Sequence, residues 1–186
     1  MSAKEKTAGT VVSVNLSERK TVRKTPCERG SLVLDRGFDG DAHAGDWHRQ
    51  VSLLAQESID KMKSAGLDVG AGDFAENITT SGIDLMTLPI GTLLRVGPSL
   101  LEVSQIGKVC HTKCAIYYQA GDCVMPREGI FAVVREAGEI VVGDSLQVVS
   151  LGDGTCDRTP EEAIREFAEA KVIEETTASD DEGEGE

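Results

Sequence analysis

The chain has 186 residues, 40% of them apolar and 27% charged, with a formal net charge of -13. That length buries a real core without disulfide staples, and residues 161–186 hold eleven acidic and two basic side chains, leaving only -4 for residues 1–160. A mildly acidic domain with no broad basic face excludes nucleic-acid binding by phosphate neutralisation, and no run approaches the roughly 18 apolar residues of a membrane span.

The first ten residues, MSAKEKTAGT, are not followed by an apolar h-region, so no signal peptide is expected and a cytoplasmic location is. Thiols stay reduced there, and five cysteines, an odd number, argue against a disulfide framework.

In chain order, residues 1–9 are expected to form a flexible leader and 10–150 a single β-rich domain. Thr10–Ser17 is β-branched and predicts a strand. Ser31–Leu34 predicts another, which opens into a polar stretch with Gly37, Gly40 and Gly45. A loop of that length in a compact domain is more often functional than idle. Gln50–Ala55 reads as a strand, and Ala55, Ile59, Met62 and Ala65 at helical spacing predict a helix stopped by Gly66. Strands are expected near Phe74–Thr79, at Thr92–Val96 and over SLLEVSQI. Strands Ile130–Arg135 and Glu139–Val142 are expected to meet at a tight turn, with Gly138 at positive φ, and Leu146–Val149 follows. Seven or more short strands with one central helix argue for a mainly β fold closed, or nearly closed, as a barrel. TPEEAIREFAEAKV predicts a C-terminal helix over 159–173, with Thr159 and Glu162 as a capping box and Pro160 at its first position. The acidic remainder, 174–186, has no apolar content to fold around and is expected to be disordered.

Three of the five cysteines crowd into KVCHTKCAIYYQAGDCVMP, Lys108 to Pro126. Cys110, Cys114 and Cys123 are spaced Cys-x3-Cys-x8-Cys, which lacks the paired Cys-x2-Cys knuckles of structural zinc. A zinc held by these cysteines in a non-catalytic module stays an alternative, as does packing of three small buried hydrophobes. The reactive-sulfur reading rests on charge. A cysteine is a nucleophile or soft-metal ligand only as thiolate, and Lys108 and Lys113 stand beside Cys110 and Cys114 to favour that form. DAHAGDWHRQ offers His43 and His48, five apart, which a loop but neither a helix face nor a strand face can bring together. GDFAENI offers Asn77, which can bind a ligand or bond the backbone. Arg49, Lys108 and Arg127 suit an anionic ligand through charge-assisted hydrogen bonds.

Together GDAHAGDWHRQVSLL, GDFAENITTSGIDL, LPIGTLLRVG, LEVSQIGKVCHTKC and MPREGIFAVVREAGEIVVGDSLQV resemble the MOSC family, named after the C-terminal domain of molybdenum cofactor sulfurases. The likeness runs from about Gly9 to Val149 and is greatest to the small stand-alone bacterial members. It implies a MOSC-type β-barrel and a cysteine that ligates molybdenum or carries sulfur toward a metal–sulfur centre. Cys110 matches that cysteine by its spacing from the preceding strand and is the expected metal ligand; Cys114 and Cys123 are the other candidates. It also implies a molybdopterin phosphate and pterin held by basic and polar residues, for which Arg49, Asn77, Lys108 and Arg127 are offered, with His43 and His48 beside them. Full sulfurases add a pyridoxal-phosphate domain with a Schiff-base lysine. None is expected in a chain of this length, so a sulfur donor or molybdoenzyme partner protein is expected instead. The alternative activity is molybdenum-dependent reduction of N-hydroxylated compounds.

Overall fold

The computed structural model describes residues 7–107 and 123–165. Among the described residues there are eleven strands: β1 (Ala8–Leu16), β2 (Thr25–Cys27), β3 (Arg29–Val33), β4 (Gly37–Phe38), β5 (Val51–Ala55), β6 (Ile78–Ser81), β7 (Leu93–Val96), β8 (Ser99–Ile106), β9 (Ile130–Glu136), β10 (Gly138–Val141) and β11 (Ser145–Ser150). The helices are α1 (Gln56–Ser64) and a single turn, α2 (Met125–Glu128), with a 3-10 turn at Leu85–Thr87. Residues 161–165 are helical, and the rest of the expected C-terminal helix and the acidic tail lie outside the described residues. No described helix is long and apolar enough to cross a membrane.

Seven strands close a barrel in the order β11-β7-β8-β9-β5-β6-β1, because β1 pairs back onto β11 while β2 extends from β1 as a flap. Every pairing is antiparallel except β5–β6. A parallel pair needs a long crossover, and α1 lies within it. Closure removes the exposed edges that an open sheet would present.

Period-two geometry explains why β5 and β9 read as continuous apolar runs. Val51, Leu53 and Ala55 of β5 and Ile130, Ala132 and Val134 of β9 face the barrel core. The alternate residues Leu54 and Phe131 join Ile59 and Met62 of α1 in a second cluster on the outer face. Both faces of these strands are covered, so neither carries the polar alternation of a half-solvated strand.

Two local expectations are corrected. Glu136 and Gly138 do not flank a hairpin. The chain passes from the barrel into a separate sheet, β10-β3-β4, where Gly138 pairs with Leu32 and Ile140 with Gly30. Gly138 is not among the positive-φ residues. A Cβ there would stand 2.7 Å from Ser99 Oγ and 2.9 Å from Pro98 Cγ, so the missing side chain serves close packing. The strand expected near Phe74–Thr79 starts only at Ile78, because Gly72 and Ala75 both take positive φ and turn the chain before it.

Candidate functional site

The candidate site lies where β8 ends and β9 begins, at the departure of the cysteine segment. A bulge makes it possible. Val103 faces Ala132 and Gln105 faces Phe131, so Ser104 is an extra residue in β8. Such a bulge re-aims the side chains beyond it. Gln105 is therefore turned from the barrel interior to the outer face, opposite Phe131. Its Nε2 donates to the Gly107 carbonyl at 2.8 Å, and its Oε1 lies 2.8 Å from His48 Nε2. The Ser104 hydroxyl donates to the His48 carbonyl, so ring and backbone of His48 are both held. Burial pushes the His48 imidazole below its ordinary pKa; the Gln105 contact works the other way, and the charge of Arg49 adds to the lowering.

Arg49 sits between two aromatic rings, its Cζ 4.8 Å from the centre of Trp47 and 5.7 Å from that of Phe131. Such stacking fixes a guanidinium without neutralising it. Its buried Nε has no hydrogen-bond partner among the described residues. Trp47 joins the two halves of the loop. Its indole N–H donates to the His43 carbonyl at 2.9 Å, and its ring meets His48 edge-on at 6.0 Å.

The other end of the loop rests on a buried ion pair. Lys24 Nζ lies 2.8 and 2.6 Å from the two Asp41 oxygens and 3.2 Å from His43 Nδ1. Both side chains of the pair are 1% exposed, against 30% for His43. Asp41 also accepts from the backbone N–H groups of Ser17 and His43, each at 3.0 Å. Burial opposes its charge, but the hydrogen bonds from His43 and Lys24 outweigh that and hold the carboxyl well below the ordinary carboxylate range. Burial lowers the Lys24 pKa, with Asp41 acting against it.

Asn77 is 2% exposed. Its Oδ1 accepts from the Ser52 N–H and hydroxyl, both at 3.1 Å, and its Nδ2 donates to the Asn15 carbonyl at 3.3 Å. The side chain ties β5 to β1. Beside it, Glu76 Oε1 accepts from the Gly72 N–H and the Thr79 hydroxyl, while buried Oε2 has no partner among the described residues. Burial pushes the Glu76 carboxyl up.

Lys108, Cys110 and Cys114 lie outside the described residues. The two ends of their segment are fixed. The Gly107 N–H donates to Gly129 O at 2.7 Å, with Gly107 at φ +62. Cys123, 8% exposed, packs with Leu54, Ile59, Phe74 and Phe131 in the outer cluster. Arg127 is exposed on α2, and α2 is anchored to α1 through Glu128, which accepts from Ser58 and, at 3.0 Å, from Lys61.

Among the described residues one other cluster has metal-type donors: Glu102, Cys156 and Asp157. The Arg135 guanidinium already fills it, with Nε 2.6 Å from Glu102 and Nη2 bonded to Asp157. It is an ion-pair network that fastens the segment after β11.

Of the residues singled out in the sequence, Arg49 and His48 come together here; Lys24, Gln105 and Phe131 were not singled out. Lys24 lies in a polar run without periodicity, and the bulge that turns Gln105 outward leaves no mark in SLLEVSQI. Trp47 was the available signal: it is the chain's single tryptophan, and it adjoins both His48 and Arg49.

The MOSC domain profile matches residues 39–147, more than half of the chain. The chain belongs to the MOSC domain family. That family is associated with molybdenum cofactor binding. The matched region of this MOSC domain takes in the whole Asp41–Arg49 loop, Gln105 and the cysteine segment, whereas Lys24 precedes it. A search of curated proteins finds no match. Among solved structures, the YuaD protein of Bacillus subtilis is similar with a TM-score of 0.65 at 16% identity, over 76% of this chain and 95% of that one. YiiM from Geobacillus stearothermophilus aligns with a TM-score of 0.58 at 21% identity, covering 76% and 75%. YiiM from Escherichia coli gives 0.56 at 22%, covering 84% and 75%. At these identities the likeness establishes the barrel of this MOSC domain and no activity.

Proposed function

We propose that this MOSC domain binds the molybdenum–pterin cofactor and uses the Cys110 thiolate to ligate molybdenum or to carry sulfur to a metal–sulfur centre. The observation that supports it most is Arg49. A half-buried cation held by two aromatic rings, with an orphaned Nε, suits the phosphate of a pterin cofactor. Anion recognition by a preformed guanidinium gains both charge and geometry. His48 adds a polar edge next to it. Cys110 follows Gly107 by three residues, a span of at most ~11 Å even when extended, and Gly107 is bonded to Gln105. Lys108 and Lys113 favour its thiolate form, and thiolate is a soft donor suited to such a centre. When bound, the molybdenum group supplies the redox and sulfur-exchange chemistry. The protein supplies the anion site, the soft ligand and the fixed loop. Asn77 fastens β5, which follows that loop, to β1. The proposed setting is the cytoplasm, with a sulfur donor or a molybdoenzyme as partner.

Native mass spectrometry of the intact protein from its own host tests this. A mass increment of a molybdenum–pterin or of added sulfur is expected. An increment of zinc alone would favour a structural-metal module.

A further inference from the structure

We propose that Gln105 is a positioning residue that holds His48 as a neutral hydrogen-bond and proton acceptor at Nδ1. The inference follows from a chain of contacts whose direction chemistry fixes. The Gly107 carbonyl can only accept, so the group of Gln105 that lies 2.8 Å from it is the NH2. The Gln105 oxygen then faces His48 Nε2, also at 2.8 Å, and a carbonyl oxygen there requires that Nε2 carry the hydrogen. The one lone pair left on the neutral ring is at Nδ1. No described residue supplies Nδ1 with a partner, whereas Nδ1 of His43, six residues before Arg49, is occupied by Lys24 at 3.2 Å.

The Nδ1 of His43 faces the Lys24–Asp41 pair. On the neutral ring of His48, Nδ1 is an acceptor with no partner among the described residues. Gln105 is 6% exposed and set by the Ser104 bulge, and turning its amide over would set its oxygen against the Gly107 carbonyl. Burial lowers the His48 pKa, which favours the neutral ring.

The partner such an atom takes is a ligand group with a hydrogen to give: a heterocyclic N–H or a thiol S–H. In the second case the S–H bond breaks, its electron pair stays on sulfur, and the proton forms the Nδ1–H bond. The resulting imidazolium keeps its Nε2–H bond to Gln105, and no further reactant is needed. The ligand half of this inference rests on the proposed pterin site, with Arg49 beside it. The positioning half does not.

The test is 15N NMR of the imidazole side chains of the full chain. In the wild type, His48 is expected to show a slowly exchanging Nε2–H and an unprotonated Nδ1. In Gln105→Leu that protected Nε2–H is expected to disappear while the backbone amide spectrum keeps its pattern. Gln105→Glu covers the case in which the leucine variant fails to fold. A carboxylate at this position favours the imidazolium and is expected to raise the His48 titration midpoint by about one pH unit or more. A proton on Nδ1 in the wild type, or an unchanged protected Nε2–H in Gln105→Leu, would overturn the proposal. Adding a pterin monophosphate separates the two claims. Binding that moves the His48 Nδ1 signal supports both. Binding that leaves it unmoved keeps the cofactor site and overturns the ligand half of this inference. Absence of binding overturns the cofactor site and the ligand half together, and the wild-type tautomer still decides the role of Gln105.

Discussion

Arg49 places its guanidinium carbon 4.8 Å from the centre of the Trp47 ring, in the same loop that carries His43 and His48. The contact binds a cation to the loop without a carboxylate, which preserves its charge for a ligand. Phe131 of β9 supplies the second ring at 5.7 Å, so the barrel wall sets the position of the cation.

Arg49→Lys keeps the charge and loses the planar stack and the fork of donors. Affinity for a pterin monophosphate is expected to fall by about 1.5–3 kcal/mol, the worth of a hydrogen bond to a charged group. That is roughly 10- to 150-fold in Kd. The same change is expected to leave affinity for a pterin without phosphate nearly unaltered. Titration calorimetry with the two pterins checks the difference.

The Lys24–Asp41 pair is a foundation of the loop. Lys24→Met leaves a carboxylate buried and unpaired and is expected to cost about 3–5 kcal/mol. Adding Asp41→Asn to that variant removes the stranded charge and keeps an acceptor for one of the two backbone N–H groups, of Ser17 or of His43, so part of the loss is expected to return. The pH dependence has a definite sign. The Asp41 pKa is lowered in the folded state, so its stabilisation is present above the unfolded value of about 3.9 and is lost as pH falls below it. Urea unfolding between pH 2 and 7 is expected to show a smaller acid loss in Lys24→Met than in the wild type.

Glu76 behaves in the opposite sense. Its folded pKa is raised by burial, so the folded state holds the proton more tightly than the unfolded chain. Below the unfolded value of about 4.3 there is no penalty, and stability falls as pH rises from there toward the folded pKa. Glu76→Gln cannot ionise. It is expected to match the wild type near pH 4 and to exceed it at pH 7, in the same unfolding experiment.

Gly107 joins β8 to the cysteine segment at φ +62, and a Cβ there would lie 2.3 Å from Pro126 O. Neither the backbone conformation nor the space admits alanine. Gly107→Ala is expected to cost about 2–4 kcal/mol through left-handed strain and overpacking. It is also expected to speed exchange of the amide at position 107, whose N–H donates to the Gly129 carbonyl.

The barrel was legible because it is written in alternation and length. SLLEVSQI is β8 over its full extent, and the runs at β5, β9 and β11 announce themselves by β-branched and aliphatic content. Strand partners were less legible. Nothing local distinguishes Gly138 as a close-packing residue from Gly138 as a turn residue, since either use calls for a missing side chain. Within the candidate site, His48 and Arg49 stand out by residue chemistry. Its other members are hidden where tertiary structure brings the groups together. Lys24 matters because β1 and the following chain bring it to Asp41, 17 residues away. Gln105 matters because one extra residue reverses its face. Asn77 carried two readings in the sequence, and its bonds to Ser52 and Asn15 select the backbone role.

Coordination of a molybdenum–pterin by one sulfur beside a stacked arginine is tested most directly by metal and pterin content after purification from the native host. Wild type and Cys110→Ala are measured side by side for molybdenum, zinc and pterin fluorescence. The expected result is molybdenum with pterin in the wild type and molybdenum lost in Cys110→Ala, with the thermal unfolding of the two unchanged. Equal molybdenum in both proteins, or zinc and no pterin in either, would contradict it.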